Sequence, residues 1–258
     1  MVKALLLAGG LGTRLREETE FKPKPMVEVG GKPIIWHIMK NLSQQGITDF
    51  VIAAGHKGEV IKDYFLNYSS RNSDFRINLG TNQVQYFEDM HDESNWNVTV
   101  IDTGELTMTG GRVFRSLPFL KGETFLCTYG DGLADIDIHS LIKFHKSHGK
   151  LATVSTVQPL SRFGVMDVDQ NGLVTQFKEK PQLDGWVNAG FFVFEPQIVD
   201  YVDGDCILEE KPLTTLAAQG NLAAYRHPGF WQPMDTIREA TLLNQLWASA
   251  NAPWRNWA

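Results

Sequence analysis

The sequence predicts an α/β fold, a mostly parallel mixed sheet flanked by helices with a smaller β-rich part behind it. Three observations carry this. Through residue 148, short apolar runs alternate with amphipathic ones, the pattern that lays parallel strands side by side and covers both faces with helices. The 258 residues, 43% of them hydrophobic, suffice for one full core. Beyond residue 150 the alternation gives way to a hairpin and further strands.

Residues 2–7 read as a buried strand. Residues 33–45 read as a helix in which Ile34, Ile35, Ile38, Met39 and Leu42 form one apolar stripe. Pro33 suits its first turn and Gly46 stops it. Residues 50–54 form a second buried strand, and a helix follows from about 59 to 67. Residues 96–101 and 123–128 are the third and fourth strands. The crossover over 137–148 is helical, with Asp137 placed to cap it. Residues 150–157 read as a strand, and 164–168 with 173–177 as a hairpin around Asp169-Gln170-Asn171-Gly172. Residues 187–194 are a further strand, and 236–250 a closing helix with Asp235 at its cap position. Residues 69–94 are polar and weakly patterned, which marks an insertion. There is no internal repeat and no low-complexity linker, so one domain over 1–258 is expected.

Charge narrows the function. The chain carries 24 Lys and Arg against 30 Asp and Glu, a net charge of −6. That balance argues against a nucleic-acid or membrane-surface protein. A bound anion must then be held by local cations, backbone amides or a metal. The apolar run at residues 4–8 is far short of a signal-peptide core or a membrane span, and the expected location is the cytoplasm. Cys127 and Cys206 allow one disulfide at most, and Cys127 sits in an apolar run where a buried free thiol is expected.

The opening strand runs into Leu7-Ala8-Gly9-Gly10-Leu11-Gly12-Thr13-Arg14. A glycine-rich turn directly after a buried strand lets backbone amides approach a ligand closely, a natural cradle for phosphates. Two known patterns fail here. The dinucleotide motif needs a third glycine where Leu15 stands, and the P-loop needs a Gly-Lys-Ser/Thr ending that Gly12-Thr13-Arg14 lacks. What remains is a set of cations, Arg14, Arg16, Lys22 and Lys24. Pro23 and Pro25 hold the chain extended on either side of Lys24, which displays its ammonium at a fixed place. That suits a polyphosphate. A solvated basic loop is the other account of the same residues.

The stretch resembles the signature of the sugar-nucleotide pyrophosphorylases, enzymes that join a nucleoside triphosphate to a sugar 1-phosphate. The resemblance extends through Gly31-Lys32-Pro33-Ile34, Asp102-Thr103-Gly104, Met108-Thr109-Gly110-Gly111-Arg112, Thr128-Tyr129-Gly130-Asp131-Gly132 and Gly229-Phe230-Trp231-Gln232-Pro233-Met234-Asp235-Thr236, and covers essentially the whole chain. The variant Arg14-Leu15-x-Glu17-Glu18-Thr19 followed by Pro23-Lys24-Pro25-Met26 is similar to the bacterial branch that acts on glucose 1-phosphate with CTP. Lys22 departs from the family, which more often has arginine there; the charge is kept and a bidentate grip is lost.

The resemblance implies a Rossmann-like, glycosyltransferase-A-like nucleotidyltransferase fold, with a nucleotide-binding part over about 1–132 and a sugar-binding, C-terminal part over about 133–258. It implies an Mg²⁺-dependent reaction of CTP with α-D-glucose 1-phosphate that gives CDP-glucose and pyrophosphate, feeding dideoxyhexose and O-antigen precursors, in a homo-oligomer. Residue by residue, Leu7, Ala8, Gly9, Gly10, Leu11, Gly12, Thr13 and Gly130 would hold the nucleotide. Arg14 would take the triphosphate, and Lys24 would sit near the reacting phosphates. Asp131 and Asp235 would hold the metal, although alone they read equally as an Asp-Gly turn and a helix cap. Residues 107–112 would meet the base, Gly110-Gly111 admitting a flat ring while Thr107 and Arg112 offer hydrogen bonds. Gly164, Glu179, Lys180 and Asn188 would meet the sugar phosphate, and Trp231 would stack on the sugar or plug the core. The same chemistry with UTP or dTTP is a neighbouring expectation. A non-catalytic nucleotide-sugar sensor and a nicotinamide oxidoreductase are the readings from other classes.

Overall fold

The computed structural model describes residues 2–87, 91–161 and 163–257, with the backbone alone for Arg14 and Arg16. A seven-stranded sheet runs in the order Leu222–Arg226, Ala152–Val157, Val187–Phe194, Phe125–Tyr129, Lys3–Ala8, Asp49–Ala54, Asn97–Asp102. Val187–Phe194 is antiparallel to both of its neighbours, and every other pairing is parallel. This is the mostly parallel mixed sheet expected from the alternation of elements.

Side-chain alternation on the central strand divides the core. Ala4, Leu6 and Ala8 enter one apolar cluster, while Leu5 and Leu7 enter another on the opposite face. Burying each leucine contributes roughly 1.5–3 kcal/mol, so a strand apolar on both faces is stable only between two helical layers. The first face is covered by the helix Ile34–Gln44, whose Ile34, Ile35, Ile38, Met39 and Leu42 are all buried, together with Ile138–His148 and Ile237–Ala248. The second is covered by Thr109–Ser116 and Lys211–Ala218. Asp137 caps its helix as expected, its carboxylate accepting from the Ser140 N–H at 2.9 Å.

Residues near the end of the chain complete the first layer. Trp254 is fully buried, its carbonyl accepts from Asn41 Nδ2 at 2.7 Å, and its ring stacks on Phe230 at 5.6 Å between centroids. His37 is equally buried among Trp36, Trp247 and Trp254. It donates from Nε2 to Val29 O at 2.7 Å and accepts at Nδ1 from Trp254 Nε1, so it is the neutral tautomer. Burial pushes its pKa down to about 4.

Several expectations need correction. Asp235 does not cap the last helix. Thr236 does, its hydroxyl accepting from the Glu239 N–H while the Glu239 carboxylate accepts from the Thr236 N–H, a capping box that leaves the Asp235 carboxylate pointing elsewhere. Residues 109–116, to which the sequence reading assigned no element, are helical. The insertion contains a hairpin of Phe75–Asn78 and Gln83–Tyr86, and Leu222–Arg226 adds an edge strand that the sequence reading did not assign. Both cysteines are free, and burial raises the pKa of the Cys127 thiol. Among the described residues no helix is long and apolar enough to cross a membrane.

Candidate active site

The site forms at the carboxyl end of the central strands, where open α/β sheets bind ligands. Three separate segments deliver its charged groups. Lys24 opens a single 3-10 turn, Lys24–Met26, closed by Met26 N donating to Pro23 O at 2.8 Å and Val27 N donating to Lys24 O at 3.0 Å. Pro25 is buried and packs against Gly130, whose N–H donates to Leu7 O at 3.0 Å. The lysine is therefore braced against the end of the first strand.

Asp131 and Asp235 are brought together by a two-stranded ladder. Gly132–Ala134 pairs antiparallel with Trp231–Pro233, Gly132 opposite Pro233. Met234 N adds a hydrogen bond to Asp131 O at 2.9 Å. One aspartate enters this ladder and the other leaves it, so both emerge at the same end although 104 residues separate them. Lys24 Nζ lies between them, 2.6 Å from Asp131 Oδ2 and 2.5 Å from Asp235 Oδ1. The lysine side chain is 13% exposed and each carboxylate 30%. Burial pushes the Lys24 pKa down, but the charge and hydrogen bonds of Asp131 and Asp235 outweigh it and hold the ammonium above its ordinary value.

A cavity of about 210 Å³ opens over this triad, lined by Leu7, Ala8, Gly10, Gly12, Thr13, Lys24, Pro25, Gly130, Asp131 and Asp235. Nine of these ten are residues the sequence marked as site residues; the tenth, Pro25, was read there only as a brace for Lys24. Leu11 is exposed. Arg14 contributes its backbone to the turn Thr13–Leu15, and its side chain lies outside the described residues.

The base-binding expectation meets a different arrangement. Arg112 is buried, 4% exposed, and its guanidinium threads between Gly9 and Gly55, where a Cβ on either would lie within 2.3 Å of it. Nη2 donates to Gly9 O at 2.9 Å and to Glu105 O at 3.2 Å; Nη1 donates to Ala54 O, Thr103 Oγ1 and Gly104 O at 3.1, 2.6 and 2.9 Å. Both terminal nitrogens are thus engaged by the protein, and Arg112 ties the glycine loop to the two neighbouring strand ends. Gly110 and Gly111 serve the packing of their own helix, since a Cβ on either would lie within 2.6 Å of Cys206 or Asp205. Thr107 is buried and its hydroxyl accepts from Arg115 Nη1 at 2.9 Å. Gly55 and Thr103, which complete the Arg112 cradle, carry no motif of their own beyond Asp102-Thr103-Gly104.

None of the sugar-side residues lines this cavity. Gly164 and Glu179 face each other across the hairpin Val165–Val168/Val174–Lys178, a Cβ at Gly164 standing 3.2 Å from Glu179 Oε2. Glu179 Oε1 lies 3.4 Å from Lys180 Nζ, both side chains about half exposed or more. Asn188 Oδ1 accepts from the Gly190 N–H at 2.7 Å, and Trp231 Nε1 donates to Ala189 O at 2.8 Å, which fixes that indole edge on the strand.

A divalent ion fits the donor set. The two carboxylates bracket one cation position, at present the Lys24 ammonium, and hard oxygen ligands of this kind suit Mg²⁺ when substrate phosphates and water complete the shell. Among the described residues no group of three or more His, Cys, Asp or Glu side chains could hold a metal unaided.

The family model for nucleotidyl transferases matches residues 3–215. The chain belongs to the nucleotidyl transferase family. Among its relatives, glucose-1-phosphate cytidylyltransferase of Salmonella typhi is 52% identical over 99% of this chain and 100% of that protein. The probable glucose-1-phosphate cytidylyltransferase of Bacillus subtilis is 41% identical over the same shares. In fold, the family member resembles HddC from Yersinia pseudotuberculosis, with a TM-score of 0.71 at 23% identity over 96% of this chain and 100% of that one. Enzymes of this family generally use a divalent metal.

Proposed function

We propose that this enzyme transfers the cytidylyl group of CTP to α-D-glucose 1-phosphate, giving CDP-glucose and pyrophosphate, with Mg²⁺ as the metal and in a cytoplasmic homo-oligomer. The observation that carries the reading is full-length identity of 52% to a glucose-1-phosphate cytidylyltransferase, joined to a lysine and two aspartates at the mouth of a glycine loop.

The chemistry asks for charge control rather than proton transfer. The second pKa of a sugar phosphate lies near 6, so the attacking oxygen is already ionised at neutral pH and no general base is needed. That oxygen attacks the α-phosphorus and pyrophosphate leaves. Loop residues 9–13 receive the triphosphate on their backbone, and Arg14 adds a cation there. Lys24 draws on the α-phosphoryl oxygens as negative charge builds on them. A metal bound by Asp131 and Asp235 would neutralise the nucleotide and polarise the phosphorus. Glu179 takes sugar hydroxyls, Lys180 the sugar phosphate, with Gly164, Asn188 and Trp231 around the ring. Rate then comes from in-line placement of two anions that repel each other in water.

The test measures pyrophosphate release from CTP, UTP, dTTP and GTP with glucose 1-phosphate and Mg²⁺. CTP is expected to give the highest kcat/KM. A preference for UTP or dTTP overturns the cytidylyl assignment, and CTP binding without turnover on any sugar phosphate overturns the enzymatic one.

A further inference from the structure

Lys24 stands where a bridging metal would stand. Its Nζ lies 2.6 Å from Asp131 Oδ2 and 2.5 Å from Asp235 Oδ1, and all three residues line the cavity. Mg²⁺ requires oxygen contacts of about 2.0–2.1 Å, so an ion joined to those two oxygens from the cavity side takes the volume the ammonium now fills. The two cations carry the same sign of charge and cannot share the place. Lysine also has somewhere else to go. The same cavity is lined by the glycine loop, through Gly10, Gly12 and Thr13, a surface suited to phosphates.

From this we propose that Lys24 is an internal counter-ion that keeps the carboxylate pair closed to free divalent cations, and that the arriving nucleotide opens the site by drawing the ammonium onto its phosphates. The inference rests on the metal reading above and adds an order to it. Lysine suits the exchange because its ammonium is a point charge on a flexible four-carbon stem, able to swing while its backbone stays fixed. The stem is braced at its root: Pro25 is wedged against Gly130, and the turn is closed by two backbone hydrogen bonds. Motion is thereby confined to the side chain. The charge at the carboxylates passes from one cation to another, so Asp131 and Asp235 are never left unpaired in a partly buried site, where an isolated charge is costly. In the exchanged state the same ammonium lies on the phosphates. One residue thus performs two tasks in sequence.

The consequence is measurable without turnover. Free Mn²⁺ must displace two charge-assisted hydrogen bonds in the wild type, each worth roughly a factor of ten or more in an equilibrium constant. Mn²⁺ binding is measured by electron paramagnetic resonance on the wild type, Lys24→Met and Lys24→Gln, without nucleotide, with thermal melting as the control for folding. Both variants are expected to bind Mn²⁺ at least about tenfold more tightly than the wild type, and adding Asp131→Asn to either is expected to abolish the gain. In the wild type, a non-hydrolysable CTP analogue is expected to restore tight Mn²⁺ binding. If the variants bind Mn²⁺ no more tightly than the wild type while Asp131→Asn still removes the nucleotide-dependent site, the exchange is overturned and the metal site stands. If Asp131→Asn changes Mn²⁺ binding in no background, the metal site itself is overturned.

Discussion

Replacing Arg112 with methionine keeps an unbranched apolar stem and removes a guanidinium that serves five acceptors. The loss is smaller than five hydrogen bonds. Ala54 O still accepts from the Thr103 N–H and hydroxyl at 2.9 and 2.6 Å, whereas Gly9, Gly104 and Glu105 each lose a donor. Breaking a buried polar network from one side costs about 3–5 kcal/mol. With an unfolding entropy of about 2.1 cal/mol/K per residue, a chain of this size melts about 6–9 °C lower. Differential scanning calorimetry reads that fall. Because Gly9 is one of the released carbonyls, the phosphate loop loses its tether, and kcat/KM with CTP is expected to drop at least about tenfold. Arg112→Lys is expected to rescue neither quantity, since one ammonium cannot span acceptors on two sides of a planar fork. A methionine variant that melts with the wild type while its KM for CTP climbs would refute the tether and return Arg112 to the base contact that its sequence motif suggests.

Three further outcomes follow from the same geometry. Lys24→Ala and Asp131→Asn are each expected to lower kcat/KM at least about tenfold, about 1.4 kcal/mol of transition-state stabilisation, with circular dichroism unchanged; near-normal turnover in either contradicts its role. Thr236→Ala is expected to cost about 1 kcal/mol of stability by removing the true cap, measured by urea unfolding, while Asp235→Asn reduces activity instead; the reverse pattern would restore Asp235 as the cap. His37 has a folded-state pKa of about 4 against an ordinary 6.5. The unfolded chain therefore binds the proton first, and stability contributed by neutral His37 is complete above pH 6.5 and declines as the pH falls toward 4. The loss is about 3 kcal/mol, and His37→Gln is expected to flatten that part of the melting curve against pH.

Much of the fold was legible because apolar runs such as Leu5-Leu6-Leu7 and the stripe from Ile34 to Leu42 admit few placements. The clustering around the cavity was legible for a different reason: glycines, prolines and lysine close together in sequence leave little freedom in how their backbone is used. Legibility failed where two explanations share one residue type. Gly110-Gly111 reads in sequence as room for a flat ring, but the pair lies in a helix where the chain at Asp205 and Cys206 comes too close for a Cβ, and only tertiary contact reveals that. Asp235 and Thr236 are both good caps, and the choice between them fell to Glu239, which answers Thr236. The edge strand Leu222–Arg226 is half exposed, so its pattern lacks the contrast that marks the central strands.

The indole of Trp254 sits against a helix that begins at Ile34. A chain emerging from the ribosome therefore carries an uncovered greasy furrow along that helix until Trp254, more than 200 residues further on, has been made. Such a furrow invites chaperones or aggregation, and synonymous changes that slow translation shortly before the codon for Trp254 should prolong that exposure while leaving the finished enzyme unchanged.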